Sequence, residues 1–354
     1  LFVNLTSFLL DRLFYVENRL SLSLRWRGRR PATAFREGGA EMDISRKIVG
    51  LCVVGALVIA FSVIGCSRVG VQEETAEVDM TPSESTAIPV QEELEEADMA
   101  SSETTAVLPI AALEIRGVDI SSLPQVEDKG GIFYNADGQA QDIFEILTDH
   151  GVNYVRLKLW HTPANGYNNL EKVKGMATRI EQAGMGFLLD FHYSDSWADP
   201  AKQHKPLAWW DYDDAQLRDA VYTYTKEAIT ALREQGTEPD IVQIGNEITN
   251  GMLWDAGKLD GSADQFARLA GLLKAGIAGV EDAGCDAKIM LHLDKGGDND
   301  LYRWWFDNMI AEGVEFDIIG LSFYGYWHGD LRDLAANLAD LAQRYNKELI
   351  VVET

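Results

Sequence analysis

Seven strand-like runs alternate with six amphipathic runs from Glu114 onward, and this predicts an α/β fold, a (β/α)8 TIM barrel whose eighth unit is missing. Three observations carry the prediction. The strand-like runs are short and mostly apolar, as strands covered on both faces are. Each but the last is followed by a helical run, the pattern of a parallel sheet with helices outside. Polar and aromatic groups collect where the strands end, which is where a barrel carries its chemistry. A doubly wound open sheet competes, but it needs a glycine-rich phosphate turn after the first strand, and Gly117-Val-Asp-Ile-Ser-Ser-Leu123 has none.

In order, the strands are expected at Ile115–Ile120, Tyr154–Leu159, Gly186–Phe191, Ile241–Ile244, Lys288–Leu293, Phe316–Ser322 and Leu349–Val352. The helices are expected at Ala140–His150, Leu170–Ala183, Ala215–Gln235, Ala263–Ala283, Leu301–Glu312 and Leu331–Tyr345. Gly151, Gly184, Gly236, Gly284 and Gly313 follow five of them, which is C-cap chemistry. Eight units need one more helix, one more strand and a closing helix, so the barrel unit, residues 113–354, reads as truncated at its C-terminus.

The residues before the barrel divide into three. Residues 1–41 begin without methionine and mix apolar with basic residues, and they read as upstream translation rather than protein. Met42 is the natural start. Arg46 and Lys47 precede an uncharged run, Ile48 to Gly65, that ends at Cys66, so 42–66 reads as an export signal. Val63-Ile64-Gly65-Cys66 resembles the bacterial lipobox, in which the cysteine is lipidated; a transmembrane helix is the competing reading of the run. Residues 67–112 are acidic, and from Val71 to Ile110 they contain no Lys or Arg. Such a segment buries too little apolar surface to fold and reads as a disordered linker holding an exported, lipid-anchored domain off a bacterial membrane or cell surface.

The net charge of −25 argues against a nucleic-acid partner. Only one of the three cysteines, Cys285, lies in the barrel, so no disulfide framework exists and a buried thiol is the plain reading.

The strand ends are where the composition departs from packing. Asp240-Ile-Val-Gln-Ile-Gly-Asn-Glu247 is an apolar run that stops in a glycine, an amide and a carboxylate, and Leu349-Ile-Val-Val-Glu353 also stops in a carboxylate. The other strand ends carry Arg156, Lys158 and Trp160; Asp190, His192, Asp195, Trp197 and Asp199; His292 and Asp294; and Ser322, Tyr324, Tyr326, Trp327 and His328. Trp209, Trp210 and Trp254 lie in adjoining loops. A loop tryptophan is ordinarily core cover, and a strand histidine is ordinarily a satisfied core residue. His192 and His292 with Asp190 and Asp294 also admit a metallohydrolase, but no tight pair such as His-x-His accompanies them. Stacking rings beside carboxylates are what sugar chemistry needs.

Cleaving a glycosidic bond takes a proton on the leaving oxygen and stabilisation of an oxocarbenium-like centre, and two carboxyls supply both, about 5–5.5 Å apart in a retaining enzyme. Glu247 is expected as acid/base, with its pKa raised by burial and neighbours. Glu353 is expected as nucleophile, held as a carboxylate by a cation such as Arg156.

Gly117-Val-Asp-Ile-Ser-Ser-Leu123, Val155-Arg-Leu-Lys-Leu-Trp-His-Thr-Pro163, Leu189-Asp-Phe-His-Tyr-Ser-Asp-Ser-Trp-Ala-Asp-Pro200, Gln243-Ile-Gly-Asn-Glu247, Gly320-Leu-Ser-Phe-Tyr-Gly-Tyr-Trp-His-Gly329 and Val351-Val-Glu-Thr354 together resemble glycoside hydrolase family 53. Its members are arabinogalactan endo-β-1,4-galactanases in a clan of (β/α)8 retaining hydrolases. The resemblance covers about Ile115 to Thr354, and its most specific part is the Asp190–Pro200 run. It implies Glu247 as acid/base and Glu353 as nucleophile, with Asn246 on the hydroxyl beside the reacting carbon. It implies that Arg156 and Tyr324 orient Glu353, and that Asp190, His192, Trp197, His292 and Trp327 line galactose subsites. The clan also places a tryptophan on strand eight, beyond the last residue here. No cofactor is implied for the reaction, although the resemblance to some bacterial members implies a structural calcium in the late loops of the full-length protein. The expected partner is β-1,4-galactan, acted on by a monomer. The alternatives are a clan member acting on xylan, mannan or glucan, and a non-catalytic glycan-binding lipoprotein, against which the intact carboxylate pair speaks.

Overall fold

The computed structural model describes residues 2–4 and 113–354. Cys66, the export signal, the acidic linker and all of 1–41 except 2–4 lie outside the described residues. Eight parallel strands run in the order β1-β2-β3-β4-β5-β8-β9-β10: β1 Phe2–Asn4, β2 Gly117–Asp119, β3 Tyr154–Leu159, β4 Gly186–Phe191, β5 Ile241–Ile244, β8 Lys288–Leu293, β9 Ile318–Ser322 and β10 Glu348–Glu353. Two two-residue strands, β6 Gly251–Met252 and β7 Gly257–Lys258, pair antiparallel in the loop after β5.

Helices α1 Leu123–Asp128, α2 Ile143–Asp149, α3 Leu170–Gln182, α4 Asp214–Glu234, α5 Gln265–Asp282, α6 Asn299–Ala311 and α7 Leu331–Tyr345 connect the strands. The seven parallel strands other than β1 form a near-closed (β/α) barrel. Short β1 pairs with β2 and lies against β10, in the place left for an eighth strand. Phe2–Asn4 belongs to the segment read above as lying outside the protein. The backbone of a sheet-edge strand can hydrogen-bond any extended segment laid beside it, which is the physical basis of the pairing.

The helix ends follow from local chemistry. Asp213 caps α4 through the N–H groups of Ala215 and Gln216, and the Gln216 side chain answers it, a reciprocal box that holds the first turn. Asp330 and Asp333 do the same for α7. The five glycines expected to close helices all have positive φ, between +65° and +79°. The helix α1 and the β6–β7 hairpin are too short to leave a periodic signal and were not expected.

The period of two sorts each strand into an outer and an inner set. Val155, Leu157, Leu159, Leu189, Phe191, Val242, Ile244, Leu291, Leu293, Ile319 and Leu321 face the helices in one continuous core. The inner set starts apolar, with Leu188, Ile241, Met290, Ile318, Ile350 and Val352 packed at the N-terminal end of the barrel. Farther along the same faces come Asp119, Arg156, Lys158, Asp190, His192, Gln243, His292 and Ser322, all buried. Burying so many polar and charged groups costs free energy unless they satisfy one another, so their partners define the site.

Candidate active site

Two backbone irregularities deliver the two glutamates. Strict alternation would turn Glu353 outward with Leu349 and Val351, because Ile350 and Val352 face inward. A register shift between Val351 and Glu353, where β10 pairs with β9, turns the carboxylate into the barrel instead. At β5, Gly245 takes φ +86°, and a Cβ there would sit 2.6 Å from the Ile248 side chain. Glu247 itself is left-handed, at φ +46°, a conformation costly for a residue with a side chain and concentrated at functional sites. The turn swings Asn246 and Glu247 over the barrel mouth.

Arg156 is the hub. Its Nη1 donates to Glu353 Oε1 at 2.8 Å and to Asp119 Oδ2 at 3.3 Å. Its Nη2 donates to Asp190 Oδ2 at 2.9 Å, to Asn246 Oδ1 at 2.8 Å and to Gln243 Oε1 at 3.1 Å. Lys158 Nζ donates to both oxygens of Asp119, at 3.1 and 3.2 Å. Burial raises the Asp190 carboxyl, but Arg156 and His192 overrule it and carry it down to about 2. Tyr324 Oη donates to Glu353 Oε2 at 3.0 Å, so each oxygen of Glu353 has its own donor.

The two histidines are pinned by the polar groups around them. His192 Nδ1 accepts from the Ala198 N–H at 3.1 Å, which leaves its proton on Nε2, facing Asp190 Oδ2 at 3.0 Å. His292 is fully buried, and burial, reinforced by Arg156, pushes its pKa well below normal, so the ring is neutral. Its Nδ1 accepts from Gln243 Nε2 at 3.1 Å and from the Glu247 N–H at 3.3 Å. The ring proton therefore lies on Nε2, 2.9 Å from Ser322 Oγ, and Ser322 in turn hydrogen-bonds the Glu247 side chain. Glu247 is pushed up to about 8, first by burial and then by the negative charge of Glu353, with a smaller contribution from Asp294; Ser322 and Arg156 oppose the shift. One carboxyl is thus poised to give a proton while its neighbour rests on a guanidinium, the division of labour an acid–nucleophile pair requires.

A Glycosyl hydrolase family 53 model matches residues 115–354. The chain belongs to glycosyl hydrolase family 53. It is a glycoside hydrolase. An arabinogalactan endo-β-1,4-galactanase of Thermothelomyces thermophilus is 41% identical over 252 residues, covering 69% of this chain and 74% of that protein. An uncharacterized protein of Niallia circulans is 47% identical over 244 residues, covering 68% of this chain and 67% of that one. Among solved structures, the family 53 catalytic domain of Ignisphaera aggregans is 40% identical with a TM-score of 0.65 and covers 69% of each chain. A fungal β-1,4-galactanase is 37% identical with a TM-score of 0.64, covering 67% of this chain and 73% of its own.

Among the residues named from the sequence, the family 53 barrel brings Glu247, Glu353, Asn246, Arg156, Asp190, His192, His292 and Tyr324 into one connected network. Trp197 stands at its rim, 37% exposed, with Lys158 Nζ 4.5 Å over its ring and Trp160 and His192 edge-on to it. Trp327 is not in the network: it is 76% exposed, against Tyr326, and lines a separate open depression with Lys295 and Asp298. Among the described residues no group of three or more His, Cys, Asp or Glu is placed to hold a metal ion. Cys285 is buried, and burial pushes its thiol up to about 12.

Gln243 and Asp119, to which the sequence pattern assigned no role, and Ser322, known only as a strand-end residue, belong to the network as well. Gln243 touches Arg156, Asp190, Asn246 and His292 at once. Its signal was available: a polar side chain at an inward position of an otherwise apolar strand is expensive without partners.

Proposed function

We propose that the chain hydrolyses the β-1,4-galactan side chains of pectin, the type I arabinogalactans, by a two-glutamate double displacement with retention of configuration. The observation that carries this reading is the asymmetry of the pair: Glu353 held by Arg156 and Tyr324, and Glu247 pushed up to about 8. Named relatives with the same domain are arabinogalactan endo-β-1,4-galactanases. In the first step Glu353 attacks the anomeric carbon while Glu247 protonates the departing oxygen. The covalent bond removes the charge of Glu353, one of the causes that raise Glu247, so the acid's pKa falls and it takes a proton from the incoming water in the second step. Asn246, held by Arg156 and by its own Nδ2 donating to Ala198 O at 2.8 Å, presents its amide at the hydroxyl beside the reacting carbon. No cofactor takes part.

The test is product analysis on potato galactan, with xylan, mannan and glucan alongside. Expected are short galacto-oligosaccharides whose first-formed reducing ends are β by NMR. Release of α anomers, or faster cleavage of another glycan, overturns the reading.

A second expected outcome concerns pH. Glu247 must be protonated to act, so kcat/KM falls about tenfold per unit above about pH 8. Asp294 helps to raise Glu247, and Asp294→Asn keeps the oxygen that accepts from Thr249 Oγ1. Its alkaline limb should therefore move to lower pH; an unmoved limb removes Asp294 from the account.

The reading extends to an exported monomer anchored by lipid at Cys66 and spaced from the bacterial surface by the acidic segment. The composition of residues 42–112 supports it, and a mature protein lacking palmitate label at Cys66 refutes it.

A further inference from the structure

The loops after β4 and β5 carry a depression of about 480 Å³ that holds none of the catalytic network's residues. This size falls within the roughly 300–1,000 Å³ of small-molecule sites. Trp210, Tyr212 and Trp254 line it, with Lys205, Asp214 and Arg268 among the polar groups at its edge. Trp210 is 59% exposed and Tyr212 38%, whereas the neighbouring Trp209 is buried. Packing accounts for Trp209 and leaves the rings beside it unexplained.

The walls are fixed before any ligand arrives. Trp254 Nε1 donates to Asn250 O at 3.0 Å, and Lys258 Nζ lies 4.3 Å over its ring. Lys205 Nζ donates to Trp210 O at 2.8 Å. Arg268 ties the loop together, donating to the carbonyls of Asp255 and Ala256 and to both carboxylate oxygens of Asp260 at 3.1 Å. A rigid pocket spends little entropy on binding. It is also continuous with the catalytic loop. The Trp254 N–H donates to Gln203 O at 2.7 Å, and the Gln203 side chain donates to Asn246 O at 2.8 Å.

The geometry points to an auxiliary binding site for a neutral β-linked hexose chain, the polymer substrate itself, held on Trp210 and Tyr212 beside the catalytic mouth. Apolar sugar faces stack on exposed rings while charged rim groups take the hydroxyls. The rim carries no spare cation: Asp214 and Asp255 outnumber Lys205, and Arg268 is already paired with Asp260. That leaves no uncompensated cation to select a uronate, so a neutral chain is favoured over an acidic one. The identity of the sugar rests on the galactanase reading; the site itself does not.

The experiment compares Trp210→Ala and Tyr212→Ser with the unaltered protein on potato galactan and on β-1,4-galactotriose. The expected result for each variant is a rise in KM on the polymer of about three- to tenfold, the worth of one stacking contact, with kcat/KM on the trisaccharide unchanged within about twofold. An unchanged polymer KM, or an equal loss on both substrates, overturns the proposal. Retardation in native gels is read in parallel, with gels containing galactan or polygalacturonate. Retardation by galactan that Trp210→Ala abolishes supports the site even if the unaltered protein cleaves neither substrate, an outcome that would defeat only the galactanase reading. Retardation by polygalacturonate alone overturns it.

Discussion

Replacing Glu353 by glutamine lowers activity on galactan by about 10⁴-fold or more, the scale on which removing a covalent nucleophile costs an enzyme. The variant keeps the shape of the side chain and an oxygen to accept from Arg156 Nη1, now 2.8 Å from Glu353 Oε1. Its effect is therefore on chemistry rather than on folding. The same change has a second reading. The charge of Glu353 is the largest electrostatic cause raising Glu247, after burial. Removing it lowers the pKa of Glu247, which a titration of the Glu247 carboxyl by ¹³C NMR follows directly. Glutamine at 353 with full activity, or with Glu247 still titrating near 8, would falsify the pairing of the two residues.

Arg156→Met is the second large effect, and it acts on stability. Arg156 is 1% exposed and bonds Glu353, Asp119 and Asp190, along with two amides. Methionine fills much of the volume but leaves buried carboxylates without their cation, at a cost of about 3–5 kcal/mol. For a domain of this size that is a fall in Tm of roughly 6–20 °C. The pH dependence has a definite sign. Asp190 is carried down to about 2 against the push of burial, so in the unaltered protein it contributes stability that is present above pH 4 and lost as the pH falls through 2. Without Arg156, burial dominates and ionisation of Asp190 becomes a penalty that grows as the pH rises past 4. The Tm deficit of Arg156→Met is therefore larger at pH 7 than at pH 3. A deficit that is flat across this range would show that the guanidinium acts only by filling space.

Much of the barrel was legible because its signals are local. Tyr154–Leu159 and Lys288–Leu293 read as buried strands from their apolar runs, and both form as expected. The amphipathic run Leu331–Tyr345 read as a helix and is one. The ends of β2 and β9 came out shorter than the apolar pattern suggests, since pairing with neighbours, and not composition, decides where a strand stops. Hairpin β6–β7 left no pattern, and neither did the pairing of Phe2–Asn4 with Gly117–Asp119.

The candidate site was legible as a list and not as a network. Carboxylates, histidines and rings at strand ends announced sugar chemistry residue by residue. That Asn246 and Glu353 hang from one guanidinium could not be read, because the spacing of 246 and 353 along the chain carries no distance. Among the described residues the Trp327 side chain has no hydrogen bond into that network: its ring is 76% exposed and stands against Tyr326.

By itself the sequence determined the alternation of strand and helix, the inward polar positions and the carboxylates at the strand ends, because each depends on a residue and its near neighbours. Only the tertiary structure decided which way two of the strand-end side chains face. A register shift in β10 overrides the period of two at Glu353, and the turn at Gly245 overrides it at Asn246, which alternation would set outward with Val242 and Ile244. Such irregularities are set by hydrogen bonds to adjacent strands, and those strands are distant in sequence.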